Sequence, residues 1–450
     1  MSDESQKLNE NSLGLWESII MGVAGTAPAF SLAATTGLLI TGVGMASLAS
    51  LVYCGLIMFG VSLAFLYLNR MHANAGACFI WVSEIFNPVL GFLAGWSLLV
   101  ASVVFMVSGT VPAAIATLAL LNPAKVDDPV SVALVASGWL VLVGAILIKG
   151  IKLSSYFQVV LTVIEIVLLM IIITGALFYF SSNPVQPFEW KQLSPVHFTF
   201  GTFALGALTS LFFFWGWDVT VNLSEETKKA NDNPGIGAVG AMIIVMAIFV
   251  SFMLAIQFAL TPQEIEKAGP NLIFVLANKV FPSPWSYMAI IAVMLSTVGT
   301  LETTILQFTR TMFAKGRYGI LNPRYACLHR KWKTPWVSTL VIVGIGLVLL
   351  FVSAFFHSVN DIIEVSVKAI GFQIAFYYGL TCYACAWRLR HKKLKHVRDF
   401  IFWLWSLLSG FFMTFIFIYC AITFEWTTTA LGIGGILLGF IPLLMNKLRR

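Results

Sequence analysis

Twelve stretches of this chain run for roughly 20 residues or more with almost no charge: 15–42, 45–68, 89–121, 130–149, 156–180, 199–222, 235–261, 284–312, 336–356, 362–387, 400–424 and 428–446. A helix rises about 1.5 Å per residue, so ~20 apolar residues cross the ~30 Å hydrocarbon layer of a bilayer. A soluble core has no use for so many segments of that length. Composition agrees, with 59% of residues hydrophobic and only 10% charged, whereas soluble chains carry about 25% charged residues. The longest connections, 181–198, 262–283 and 313–335, are too short to fold alone. The sequence therefore predicts an all-α integral membrane protein with 12 transmembrane helices and no soluble domain.

Alternation of these spans puts both termini on one side. That side collects 22 of the 27 Lys and Arg, the opposite side four, and Lys368 falls inside a span. By the positive-inside rule both termini are expected in the cytoplasm, with the chain multi-pass in a cell (inner or plasma) membrane. The net charge of +7 sits in short loops, which reads as topology and predicts no nucleic-acid partner. The basic run Arg388–Arg398 is explained the same way, a lipid-headgroup contact being the alternative.

Catalytic patterns are scarce. Gly235, Gly237 and Gly240 have dinucleotide-loop spacing, but they follow Asn-Asp-Asn-Pro and open an apolar helix, where helix packing is expected. Gly91–Gly95 and Gly435–Gly439 are read as packing within the chain, and nothing in the sequence specifies an oligomer. Cys382 and Cys385 lie within an apolar run and are read as packing residues. The six His have no ligand spacing. No enzymatic activity, metal or cofactor is expected.

Where the spans are interrupted says more. Span 1 reads Gly22-Val23-Ala24-Gly25-Thr26-Ala27-Pro28-Ala29-Phe30-Ser31. Pro28 has no amide hydrogen for the Ala24 carbonyl, and it disfavours helical geometry at Ala27. Span 6 carries Phe214-Trp215-Gly216-Trp217-Asp218, a second expected break. Unpaired backbone at mid-membrane is tolerated only where protein or a watery cavity satisfies it. Breaks in spans 1 and 6 imply a repeat of five helices, and an odd number inverts the second copy. Half-helix N-termini at such breaks can hold a carboxylate.

These breaks continue into Asn74-Ala75-Gly76-Ala77, Gly91, Gly95-Trp96, Glu225-Glu226, Arg310, Lys315-Gly316-Arg317-Tyr318-Gly319 and Thr334-Pro335. In that order and spacing the chain resembles the amino acid–polyamine–organocation superfamily of transporters over nearly its whole length. The resemblance implies a leucine-transporter-like 5+5 inverted-repeat bundle. Residues 15–180 would form the first repeat, 199–387 the second, and 400–446 two peripheral helices. It also implies that Gly25, Thr26, Ala27 and Pro28, with Phe214, Trp215, Gly216, Trp217 and Asp218, line the substrate site. The chain departs from the family in having Gly-Thr-Ala-Pro where members often carry Gly-Ser-Gly. It also has Glu165 near a position where many carry Lys.

Ionisable residues deep in a span are costly and mark function. Glu165, Asp218, Glu302, Glu364 and Lys368 qualify, and the last two are four apart, spaced to neutralise each other. Asp218 is expected to cap or orient the second half-helix, with binding of a substrate ammonium as the alternative. In the implied fold spans 5 and 8 flank span 1, where related carriers place a coupling ion. Glu165 and Glu302 are thus the candidates for proton coupling, structural bonding to Ser or Thr being the alternative. Sodium, held by oxygens of Ser296, Thr297 and Thr300, would be the other coupling ion. Arg70 with Glu225 and Glu226 is expected to form an inner gate, an exposed salt-bridge face being the alternative. The expectation is a secondary transporter of amino acids or related amines, coupled to protons as a symporter or exchanger. A polyamine exchanger and a transporter-like sensor are the other readings.

Overall fold

The computed structural model describes residues 7–355, 359–390 and 396–449, with the side chains of Met45, His197, Pro270, 359–364 and 446–449 outside the description. The expected Glu364–Lys368 pair thus falls partly outside the described residues, as does the centre of the basic run 388–398. Lys368 Nζ lies 5.7 Å from the centre of the Phe424 ring. The described residues are overwhelmingly helical. Their β-pairing is confined to one isolated parallel bridge between Leu13 and Thr227.

Among the described residues, eleven helices are long and apolar enough to cross a membrane. The first is built from α1 (Leu15–Thr26) and α2 (Pro28–Val43), and α3 (Ser47–Met71) follows. After the short α4 (Cys78–Ile85), helices α5 (Pro88–Ser108) and α6 (Thr110–Leu121) form one span. Pro112 denies the Ser108 carbonyl its helical amide at the junction of the two. Helices α7 (Pro129–Ile148) and α8 (Ile151–Phe180) complete the first half.

The second half opens on α9 (Phe200–Phe213) and α10 (Val219–Asn222). The sixth apolar stretch, 199–222, is divided where a break is expected, at residues 214–218. Its two pieces have 14 and four residues, so neither is long enough to cross alone. Helix α11 (Asn233–Ala259) leads through the short α12 (Pro262–Ala268) and α13 (Leu272–Val280) to α14 (Met288–Arg317). Then come α15 (Trp336–Ser353), α16 (Val359–Arg390), α17 (Val397–Thr423), α18 (Trp426–Leu437) and α19 (Phe440–Arg449).

Helix starts follow capping chemistry. Asn87 accepts the Leu90 amide at 2.9 Å with Pro88 at the first helical position. Thr261 and Glu264 exchange bonds in a capping box ahead of α12.

Burial sorts the helices from centre to rim. In α1–α2, α14 and α16 most of the apolar window is buried, whereas α15, α17 and α18 leave most of it uncovered. That uncovered apolar surface is what a lipid-facing helix presents. Helix α17 lies along α16 and α3, and α18 along α16 and α5. Trp96 anchors α5 to α18 by donating to the Gly435 carbonyl at 2.9 Å. The glycines of the dinucleotide-like spacing mark helix crossings: Gly235 meets Leu66 of α3, while Gly237 and Gly240 meet Ser18 and Ile19 of α1. Cys382 and Cys385 are free and buried in α16.

Candidate functional site

Helix α1 stops at Thr26 because Ala27 turns left-handed (φ 47°, ψ 67°) and Pro28 opens α2. The polar groups released there are taken up by side chains of α2, α8 and α14. Thr300 Oγ1 donates to the Gly25 carbonyl at 2.9 Å and Ser31 Oγ to that of Thr26 at 2.6 Å. Glu165 Oε1 accepts the Ala29 amide at 3.1 Å, and Ser296 Oγ accepts that of Phe30 at 3.1 Å. A carboxylate at a helix N-terminus satisfies orphan donors and complements the dipole.

The second break lies against the first. Helix α9 ends at Phe213, Gly216 adopts φ +106°, and α10 begins at Val219. A Cβ on Gly25 would strike the Gly216 carbonyl, and one on Gly216 would strike that of Gly25. Both interruptions therefore sit at one depth, in backbone contact.

Asp218 is fully buried. It occupies the cap position of α10 but makes no side-chain cap bond, which corrects the capping expectation. Its Oδ2 accepts from Tyr377 at 2.9 Å and its Oδ1 from Tyr378 at 3.0 Å. Trp215 Nε1 donates to the Tyr377 oxygen at 2.7 Å. Hydroxyl bonds to a carboxylate are charge-assisted. Asp218 therefore orients the break by fixing it to α16.

The aromatics divide. Trp215 packs edge-on against Phe105 of α5, 5.5 Å between centres. Phe105 and Phe212 in turn flank Phe30 at 6.0 and 6.1 Å. Phe30 also lines a small apolar cavity of about 60 Å³ between α2, α6, α13 and α14. Phe214 instead packs towards Gly55 and Phe249, on the side of α3 and α11. Trp217 stacks on Tyr378 at 5.5 Å.

Glu302 stands apart from Glu165, six residues beyond Ser296 on α14, which is about 9 Å along the helix. Ser154 donates to its Oε1. Gln158, with its amide nitrogen turned to the acceptors, donates to its Oε2 at 3.1 Å. Each carboxylate thus ties α8 to a neighbouring helix. The Thr297 hydroxyl turns back to its own helix, donating to the Val293 and Met294 carbonyls at 2.9 Å.

The expected grouping of Arg70 with Glu225 and Glu226 is corrected. Arg70 Nε bonds Asp232 at 2.8 Å on the surface. Glu226 is buried and grips Arg310 with both oxygens, at 2.8 and 2.9 Å. Glu225 pairs with both terminal nitrogens of Arg317 and accepts the Ala75 amide at 2.9 Å. The physical reason is reach: α14 runs on to Arg317, bringing its own cations beneath α10. The Glu226 carbonyl accepts the amides of Ser12 and Leu13 at 2.8 and 3.1 Å.

Three residues escaped the sequence reading. Tyr377 and Tyr378 are not ionised at neutral pH, so a scan for charge passes over them. Adjacent hydroxyls deep in an apolar run were the available signal. Lys315 was placed in a loop because the apolar run of span 8 ends before it. It is fully buried, donates to the Phe92 carbonyl at 2.8 Å and sits 3.9 Å from the centre of the Phe92 ring.

A sequence profile described as "Amino acid permease" matches residues 13–439, nearly the whole chain. The chain belongs to the amino acid permease family. This places it in the superfamily that the sequence resembles. The permease is 24% identical to the methylthioribose transporter of Bacillus subtilis (strain 168), over 68% of each chain. It is 22% identical to the b(0,+)-type amino acid transporter 1 of Mus musculus, over 73% of this chain and 65% of that protein. With the low-affinity putrescine importer of Escherichia coli (strain K12) it shares 24% identity over 76% of this chain and 74% of that one. The relatives named here are all transporters, and the permease is a multi-pass membrane protein.

Proposed function

We propose that this permease is a secondary transporter that moves amino acids or related amines by alternating access, coupled to protons. The observation that carries the reading is the contact of the two broken helices at Gly25 and Gly216. A pair of interrupted helices meeting inside a bundle is where carriers built from inverted repeats hold their solute. On this reading there are twelve crossings, the split α9–α10 being the sixth. Residues 15–180 and 199–387 are inverted copies, α17 to α19 are peripheral, and both termini are cytoplasmic. The relatives' named solutes, an amino acid class, putrescine and methylthioribose, frame the substrate range.

Gly25 to Pro28 and Trp215 to Asp218 form the solute site, with the Phe30, Phe105 and Phe212 cluster as its lid. The pairs Glu226–Arg310 and Glu225–Arg317 close the cytoplasmic face and must part for release inward. Glu165 and Glu302 carry the coupling proton. Proteoliposomes with an alkaline interior, offered labelled amino acids and amines with and without sodium, test the proposal. Concentrative uptake driven by the pH gradient is expected. Glu165→Gln and Glu302→Gln should each uncouple it, and unchanged gradient-driven uptake in both would remove the proton role. Solute binding without flux would make the protein a sensor.

A further inference from the structure

Accounting for every amide at the first break leaves none for an incoming carboxylate. Gly25 and Thr26 lie in the last turn of α1 and serve that helix. Ala27 donates to the Ala24 carbonyl at 3.1 Å, and Pro28 has no amide hydrogen. Ala29 donates to Glu165 and Phe30 to Ser296, each at 3.1 Å, and Ser31 to the Ala27 carbonyl at 2.8 Å. The N-terminus of α2 is where exposed amides and the helix dipole would hold a solute's carboxylate. It is held instead by the chain's own Glu165, a residue 1% exposed.

The charges around the break point the same way. Asp218 and Glu165 are both buried there, and Glu302 follows along α14. The buried cations of α14 are engaged elsewhere, Arg310 by Glu226 and Lys315 by the Phe92 carbonyl. At the first break a solute carboxylate would lie beside Glu165 and find no free amide, whereas an ammonium would be drawn to that carboxylate.

Building on the transporter reading above, we infer that the site selects amines without an α-carboxylate over amino acids, Glu165 occupying the place that the missing group would take. Three pairs of solutes differ only in that carboxylate: ornithine and putrescine, lysine and cadaverine, arginine and agmatine. Titration of the purified full chain by calorimetry should show each amine binding at least about tenfold more tightly than its parent amino acid. Glu165→Gln keeps an oxygen for Ala29 while removing the charge, and it should shrink that preference to within about threefold. Equal or tighter binding of the amino acids by the native protein overturns the inference. In that case their flux into proteoliposomes still upholds the transporter reading. Failure of both series to bind or move overturns the two together. The native comparison decides even if the variant does not fold.

Discussion

Gly25 and Gly216 meet backbone to backbone, each filling the space where the other's Cβ would stand. The contact brings two helix interruptions, 191 residues apart in sequence, to one point in the bundle. Gly216 also needs its positive φ, which an L side chain adopts at a cost of about 1–2 kcal/mol.

Gly25→Ala and Gly216→Ala should therefore both be severe. Overpacking adds about 1–3 kcal/mol to the strain. The expected outcome is a clear fall in melting temperature and loss of solute uptake. Gly434→Ala, which meets open space, should change neither. Thermal melts and proteoliposome flux on the three variants check this.

Tyr377→Phe and Tyr378→Phe each remove one donor from Asp218. A bond to a charged group contributes about 1.5–3 kcal/mol, so each variant should lose stability in that range. Asp218→Asn should cost less in the double phenylalanine background than alone. A double-mutant cycle by thermal unfolding reads that coupling, and additive losses would contradict the geometry.

Arg310→Met leaves Glu226 buried without its partner, an expected loss of about 3–5 kcal/mol. Arg310→Met combined with Glu226→Gln should recover much of it. Charge exchange at the surface pair, Arg70→Asp with Asp232→Arg, should shift stability by less than about 1 kcal/mol. Reversal at Glu226 should not rescue Arg70→Glu. Melting temperatures of these variants test the reassigned pairings.

Acid titration probes the connection between α11 and α14. The Glu264 carboxyl is held down to about 2, from an ordinary 4.5, first by Lys279 and then by the Thr261 amide. A depressed carboxyl adds stability above its unfolded value and loses it as pH falls towards the folded one. Glu264→Gln should thus melt earlier at pH 7, and the gap should close between about pH 4.5 and 2. The pair is 40% exposed on the Glu264 side, so screening limits the effect to about 0.5–1 kcal/mol.

Much of the architecture was legible because bilayer thickness imposes a length on apolar runs. Pro28 announced its break through a missing amide hydrogen, and Gly216 through a carboxylate two residues later in an otherwise apolar run. Pairings were harder to read. Arg70 and Glu226 are both charged and on the same side of the membrane by count, yet only three-dimensional reach shows that Arg310 arrives first. Asp218 was legible as a costly residue but not as the partner of Tyr377 and Tyr378, since hydroxyls leave no mark in a charge tally. Glu165 stood out for its charge, while its bond to Ala29 depends on how α8 crosses α2.

The bridge between Leu13 and Thr227 sits at the opposite end of α1 from Gly25. The stub before α1 and the turn after α10 are thus stitched together, and the same two elements touch again at their glycines. Two fastenings define an axis, so these pieces cannot pivot independently about either one. Any rocking of the machine has to swing them as a single lever until the stitch at Leu13 lets go.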